Sequence, residues 1–588
     1  MTRTALLAGA LLLSAAAMAG DREAFREIYK QEWDFRLREF PLLASAIGNH
    51  EYDDRLGGVS ERDQQRRYDF WQRTHARLGA ISCENLGREG CIDYRIFKRQ
   101  LERAMADHET RAYLIPFNSD SGFYTTWARL PSQTDFTGAA SYANYLSRLE
   151  ELPRVMDEYI ELMRAGLAAG MTQPRAILAG REDPVRLQLV EAAEQSPFFV
   201  PFTQLPEALV GPEREALLER ARAAIGQGVV PAYRRLLAFF EQEYFPGARA
   251  TLGASRLPDG VRFYREQIRR YATVDLSAAE IHDIGLGEVE RIRGEMLAII
   301  AEVGFEGGLG EFIEFLRTDP RFYARTAHEL LAEASYFAKK VDGRLPQLFG
   351  RLPRQPYGIE AVPADIAPFY TAGRYVSSPL ESHRGGYYWV NTYALESRTL
   401  YTLPALTLHE AAPGHHTQIA LAAEQVRQPP FRRHDYISAF GEGWALYAEK
   451  LGVEMDIYET PYQHFGRLTY EMWRACRLVI DTGIHAMGWS REQAQDFLAA
   501  NTALSLHEVT TEVDRYISWP AQALSYKLGE YTIVELRREA EARLGDGFDV
   551  RRFHDFILAL GSVPLDILRD EVSRWVTAEA GPAAPHPQ

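Results

Sequence analysis

The run His409-Glu410-Ala411-Ala412-Pro413-Gly414-His415-His416 gathers imidazoles and a carboxylate into one short stretch. Two imidazoles follow the first at six and seven positions. In the pattern H-E-x-x-H, histidines at i and i+4 share a helix face and hold zinc, while the glutamate activates water. Here the second histidine comes late, so the backbone between the two decides the chemistry. Pro404 suits the first turn of a helix that carries Leu406, Leu408 and His409. Pro413 falls inside that helix, lacks an N–H and clashes with the carbonyl of His409. Gly414 adds backbone freedom. A kink or bulge is therefore expected. On a straight helix, i+6 points about 120° away from i and i+7 nearly returns, which would select His416. A bulge that absorbs two residues makes His415 the equivalent of i+4. Pro413 favours the bulge, hence His409 and His415 as ligands, with His416 beside them or at the surface.

One zinc ion needs a third protein ligand and an open position for water. Glu442, in Gly441-Glu-Gly-Trp-Ala-Leu-Tyr-Ala-Glu449, stands 27 residues after His415. Glu442 and Glu449 are seven apart and share a helix face. One can bind metal, and the other can accept the free N–H of a ligand histidine and fix its tautomer. Glu442 is the candidate ligand. Its small and aromatic neighbours suggest burial, where an unpaired carboxylate is costly. A solvated helix carboxylate is the plainer alternative. Glu410 would take a proton from the attacking water and pass it to a leaving amine; otherwise it caps or pairs locally.

Arg474, Arg477, Asp481 and His485 form a polar stripe on an otherwise apolar helix. Such a stripe should face a cleft or a buried network. His485 would then touch substrate or belong to that network. A hydrolase also needs a donor for the oxyanion. Tyr516 or Tyr526 could supply it. Any of Arg474, Arg477 or Arg515 could read a terminal carboxylate.

The elements that must position these groups are mostly helical. Tyr142, Leu146, Leu149, Met156, Tyr159 and Met163 recur at helical steps. Ser277 and Glu280 form a capping-box signature ahead of the stripe Ile281, Ile284, Val289, Ile292, Met296 and Ile299. The best strand is Gly386 to Thr392, and the stretch from about Pro346 to Pro379 reads as irregular. Pro246, Gly247, Gly253 and Pro258 mark a soft boundary.

Arg3, the apolar run Ala5 to Ala17 and Ala17-Met18-Ala19 read as a cleavable secretory signal over residues 1–19. The expected organisation is then a helical lobe over 20–250, a helical lobe with the zinc site over 251–577 and a disordered tail over 578–588. A periplasmic or secreted protein without stable membrane insertion is expected. No cysteine follows the signal closely. Cys83 and Cys91 could bridge or stay as separate thiols, and Cys476 reads as packing. With 588 residues, 46% hydrophobic and 25% charged, the chain can bury a large core. Its net charge of −15 argues against a nucleic-acid partner.

Four stretches in combination resemble the bacterial family of domain of unknown function 885 (DUF 885). They are His409 to His416, Glu442 to Glu449, Asp481-Thr-Gly-Ile-His485-Ala-Met-Gly-Trp489 and Asp514-Arg-Tyr516 through Tyr526. The likeness runs from about residue 25 to 575. It implies a gluzincin-type zinc metallopeptidase: a mainly α, two-lobed helical fold around a deep groove, with a small β element near the metal helix. The resemblance also supports His415 over His416 and Glu442 as third ligand. A weaker likeness reaches the angiotensin-converting-enzyme type of dipeptidyl carboxypeptidase. It implies that Arg515-Tyr516 is the Arg-Tyr pair whose tyrosine serves the oxyanion, makes His507 a lesser candidate, and implies a strand, here Tyr387 to Asn391, that pairs with substrate backbone. The expected function is hydrolysis of short peptides, as an exopeptidase. The same residues would serve a zinc amidohydrolase on a non-peptide or cell-wall amide, or a non-catalytic peptide-binding protein on the same fold.

Overall fold

A computed structural model describes residues 2–207, 209–364, 367–380 and 384–581; the side chains of residues 2–17 and of Phe369 lie outside that description. Most of the signal-like segment's side chains are among these. Its backbone is helical within α1 (Thr2–Glu39). The expected disordered tail begins too early, because Ala578 and Glu579 still belong to the helix Leu565–Glu579; from Pro582 on it lies outside the described residues. Among the described residues no helix is long and apolar enough to cross a membrane.

The fold is mainly α, with one three-stranded sheet among the described residues. The chain divides into two compact units, Met1–Glu266 and Gln267–Gln588. The Pro246–Pro258 cluster stays with the first unit for a definite reason. Arg249 is tied to Thr172 through its backbone N–H (3.1 Å) and its Nε (2.8 Å). In this unit α2 (Ala139–Ala169) buries Tyr142, Leu146, Leu149, Met156 and Met163 as its periodicity predicts. Tyr159 stacks on Phe123 with ring centroids 3.9 Å apart. Cys83 and Cys91 are disulfide-bonded, and Cys476, in the second unit, is a buried free thiol.

Every candidate site residue lies in the second unit. Its frame is a set of helices: α3 (Ala278–Glu302), the short α4 (Leu403–Glu410) and α5 (His415–Ala423), α6 (Ser438–Glu454), α7 (Pro461–Met487), α8 (Leu506–Ser518), α9 (Leu524–Leu544) and α10 (Leu565–Glu579). α3 begins with the expected Ser277–Glu280 capping box. It packs along α7, and α6 packs along α9. Where α3, α7 and α9 meet, Lys527 Nζ is buried among Glu288, Glu471 and Glu530 at 2.8, 2.9 and 2.8 Å.

The sheet holds β1 (Tyr357–Ala361), β2 (Gly373–Val376) and β3 (Gly386–Val390) in the order β1-β3-β2. β3 matches the strand read from sequence but ends two residues earlier. β1 and β2 fall in the stretch expected to be irregular. β1 runs parallel to β3 with Ile359 opposite Tyr388, and β2 runs antiparallel with Tyr375 opposite Tyr388.

One buried histidine makes the unit acid-sensitive. His554 Nδ1 donates to Leu348 O at 2.8 Å, and its Nε2 accepts from Tyr447 at 2.8 Å. Burial pushes its pKa down from 6.5 to about 3. Between these values the unfolded chain binds the extra proton and the folded chain does not. The stability contribution is therefore whole above about pH 6.5 and is lost as pH falls toward 3. Urea midpoints should drop from pH 7 to pH 4.5 more steeply for the parent than for His554→Gln. Parallel curves would refute this account.

Candidate metal centre

The proline break shapes the centre first. α4 stops at Glu410 and α5 starts afresh at His415, with Ala411 to Gly414 outside both. The expected kink is a full interruption. Ala411 N still donates to Thr407 O at 2.9 Å, and then the chain turns. A Cβ at Gly414 would stand 2.0 Å from His409 O and 2.4 Å from Leu408 O, so only glycine fits there. Trp444, on α6, donates its indole N–H to Pro413 O at 2.8 Å. That bond pins the break against the helix carrying Glu442.

The result is convergence of three side chains from three helices. Glu442 Oε2 lies 3.7 Å from His409 Nε2 and 3.4 Å from His415 Nε2. The imidazole rings stand nearly perpendicular, at 86°, with centroids 4.8 Å apart. One ligand atom from each residue lies within 4.8 Å of the other two. A tetrahedral ion with bonds of about 2.1 Å spaces its ligands about 3.4 Å apart, so the set fits one zinc ion with modest contraction. Glu449, fully buried on α6, accepts from His409 Nδ1 at 2.8 Å. This fixes the tautomer and aims the Nε2 lone pair at the centre.

The electrostatics favour a cation. Burial opposes charge on His409, yet the nearby Glu442 carboxylate and the bond to Glu449 outweigh burial and raise its pKa to about 10. Burial also opposes charge on Glu442, but His415 and His409 hold its carboxyl well below the usual range. A cluster that draws a proton so strongly is one that a divalent ion enters by displacing protons. His416 behaves otherwise. Its Nδ1 shares a hydrogen bond with the Tyr375 hydroxyl at 3.0 Å, and burial lowers its pKa to about 4. It is a neutral packing residue, away from the Glu442 carboxylate that His409 and His415 share.

Glu410 is placed by the sheet. Its Oε2 accepts from the backbone N–H of Tyr375, on β2, at 2.7 Å. This corrects the expectation that Tyr387 to Asn391 pairs with substrate. β3 is the central strand, with β1 on one side and β2 on the other, so it offers no free edge. β2 is the edge strand nearest Glu410.

The aromatic groups also sort differently from expectation. The Tyr516 hydroxyl is fully buried. It donates to Glu512 at 2.7 Å and accepts from Arg477 Nε at 3.1 Å and Trp473 Nε1 at 2.9 Å. None of these partners belongs to the histidine cluster. Tyr526 accepts from Arg515 at 3.3 Å, and Arg515 also donates to Gln522 at 2.7 Å. His485 is buried, with Nε2 2.9 Å from Tyr516 O, so it belongs to the packing network. His507 is exposed on the first turn of α8.

Tyr436 is the residue that sequence reasoning missed. Its hydroxyl donates to Glu442 Oε1 at 3.1 Å. A Cβ at Gly441 would meet the Tyr436 ring at 2.4 Å, so Gly441 is what lets the ring lie over α6. That glycine beside the candidate ligand was the available signal. A cavity of about 320 Å³ adjoins the start of α4, lined by Leu403, Leu406, Val390, Asn391 and Tyr470. None of His409, His415 or Glu442 lines it, so it neighbours the centre and is not the centre.

Solved structures share this architecture. A "putative lipoprotein" from Colwellia psychrerythraea is 28% identical, with a TM-score of 0.85 over 96% of this chain and 98% of its own. A "putative lipoprotein of unknown function" from Shewanella oneidensis is 18% identical, with a TM-score of 0.74 over 93% of this chain and 99% of its own. The latter is a likeness of fold alone. No curated protein sequence matches the chain. The family model described as "Bacterial protein of unknown function (DUF885)" matches residues 41–572, and the chain belongs to that family.

Proposed function

We propose that the protein is a zinc-dependent peptidase of the secreted or periplasmic space, acting on short peptides as an exopeptidase. One observation carries the reading: His409 Nε2, His415 Nε2 and Glu442 Oε2 converge, and Glu410 follows His409 directly in the chain. The Cys83–Cys91 disulfide and the signal-like N-terminal segment support an oxidising compartment.

His409, His415 and Glu442 would hold one zinc ion, and Glu449 would keep His409 in the ligating tautomer. Bound there, zinc would supply Lewis acidity toward a carbonyl oxygen and toward water. Glu410 accepts the proton that the attacking water loses and returns it to the departing amine. Its bond from Tyr375 N–H holds the carboxylate in place for both transfers. Tyr436 would serve in place of Tyr516: its hydroxyl, 3.1 Å from Glu442 Oε1, would turn its O–H from that carboxylate to the attacked carbonyl oxygen.

The test is Glu410→Gln. The variant should keep one zinc per chain by elemental analysis and lose at least about 100-fold in turnover on a mixed peptide pool read by mass spectrometry. Full activity in that variant would remove Glu410 from the role. A zinc-loaded parent that cuts no peptide in the pool would remove the peptidase reading itself.

A further inference from the structure

Three arginines looked able to read a substrate carboxylate, and the structure occupies each of them. Arg477 is buried against Glu512 at 2.9 Å. Arg474 is buried over the Trp473 ring, 4.2 Å from its centroid. Arg515 is bonded to Gln522 and Tyr526. A fourth, Arg374, is placed otherwise. It lies on the edge strand β2, opposite Trp389 of β3. It is the residue just before Tyr375, whose N–H holds Glu410 at 2.7 Å. Its side chain is exposed, as those of Arg474 and Arg477 are not.

Resting on the peptidase reading above, we propose that Arg374 determines specificity by binding a carboxylate of the substrate. Preferred peptides would carry a free C-terminal carboxylate close to the scissile bond. A guanidinium offers a planar fork that matches a carboxylate in two parallel hydrogen bonds. Burial opposes the charge on Arg374, but a guanidinium stays charged throughout the physiological range, and Tyr370, Glu410 and Glu442 are near enough to favour that charge. Both carboxylates have other work. Glu442 faces the histidines, and Glu410 is held by Tyr375. A cation in the cluster would withdraw Glu442's charge further and leave Arg374 in need of an anion. Substrate supplies one.

The test uses matched short peptides that differ only in a C-terminal acid or amide. The parent should favour the acid by about tenfold in kcat/KM, the scale of one charge-assisted pair. Arg374→Gln should bring the acid-to-amide ratio near one, chiefly through a raised KM for the acid. Arg374→Lys should recover part of the preference. An unchanged ratio in Arg374→Gln, or no acid preference in the parent, would overturn the assignment. Calorimetric binding of the same pair to Glu410→Gln, with and without Arg374→Gln, separates the two readings. An acid preference in binding that Arg374→Gln erases supports Arg374 even where no peptide is cut. Equal binding of acid and amide ends the proposal whatever the protein hydrolyses.

Discussion

His415→Ala should lose stoichiometric zinc, while His416→Ala should keep it. The two histidines are adjacent in sequence, yet the break at Pro413 and Gly414 sends them to different places. His415 Nε2 lies 3.4 Å from Glu442 Oε2, whereas His416 Nδ1 lies 3.0 Å from the Tyr375 hydroxyl. Loss of an outer hydrogen-bond partner usually costs about 10–100-fold in metal affinity. Glu449→Gln should fall in that range, because His409 would stay in place with a weaker partner. Loss of a direct ligand should exceed it, since the three side chains proposed to hold the ion become two. His416→Ala removes a buried ring beside Tyr375 and Tyr357, so its cost should appear in thermal stability. Elemental analysis after dialysis, followed by chelator competition, reads the ranking directly. Zinc retained in His415→Ala and lost in His416→Ala would mean that the ring assignments are exchanged.

That contrast shows what the sequence could and could not reveal. Pro413 and Gly414 act on their own backbone, so the interruption between His409 and His415 was legible from local sterics. The helix with Glu442 and Glu449 was legible for the same reason, through spacing on one face. The sheet was not. β1 and β2 are short, lie among Pro and Gly residues, and gain their identity only by pairing with β3. Because β2 was hidden, the hold on Glu410 and the position of Arg374 were hidden with it. Tyr516 was legible as a tyrosine near the right helices, but its partners Trp473 and Arg477 come from α7. Only the packing of α7 against α8 shows that its hydroxyl is already committed. Tyr436 was missed because its only signal, Gly441, shows that something packs close to α6 and not which ring it is.

Lys527→Met should destabilise the second unit by about 3–5 kcal/mol, the scale of removing one member of a buried ion cluster. Glu288, Glu471 and Glu530 present carboxylate oxygens at metal-like spacing, as the histidine cluster does. Spacing alone therefore does not make a metal site. What separates the two clusters is the occupant of the centre. Among the carboxylates it is the Lys527 ammonium, in contact with all three, and Arg291 and Arg467 close the ring around Glu471. Burial opposes the charge on Lys527, but the three carboxylates outweigh it and hold its pKa above the usual value. Burial likewise opposes the charge on Glu471, while Lys527, Arg467 and Arg291 keep its carboxyl well below the usual range. Methionine would match the volume and leave the acids with two cations among three. Urea denaturation should show the loss as a lowered midpoint at unchanged slope, and adding Glu471→Gln should recover part of it. A Lys527→Met protein as stable as its parent would show that water or a solution cation can stand in for the ammonium, and would make the carboxylate cluster a second place to look for metal.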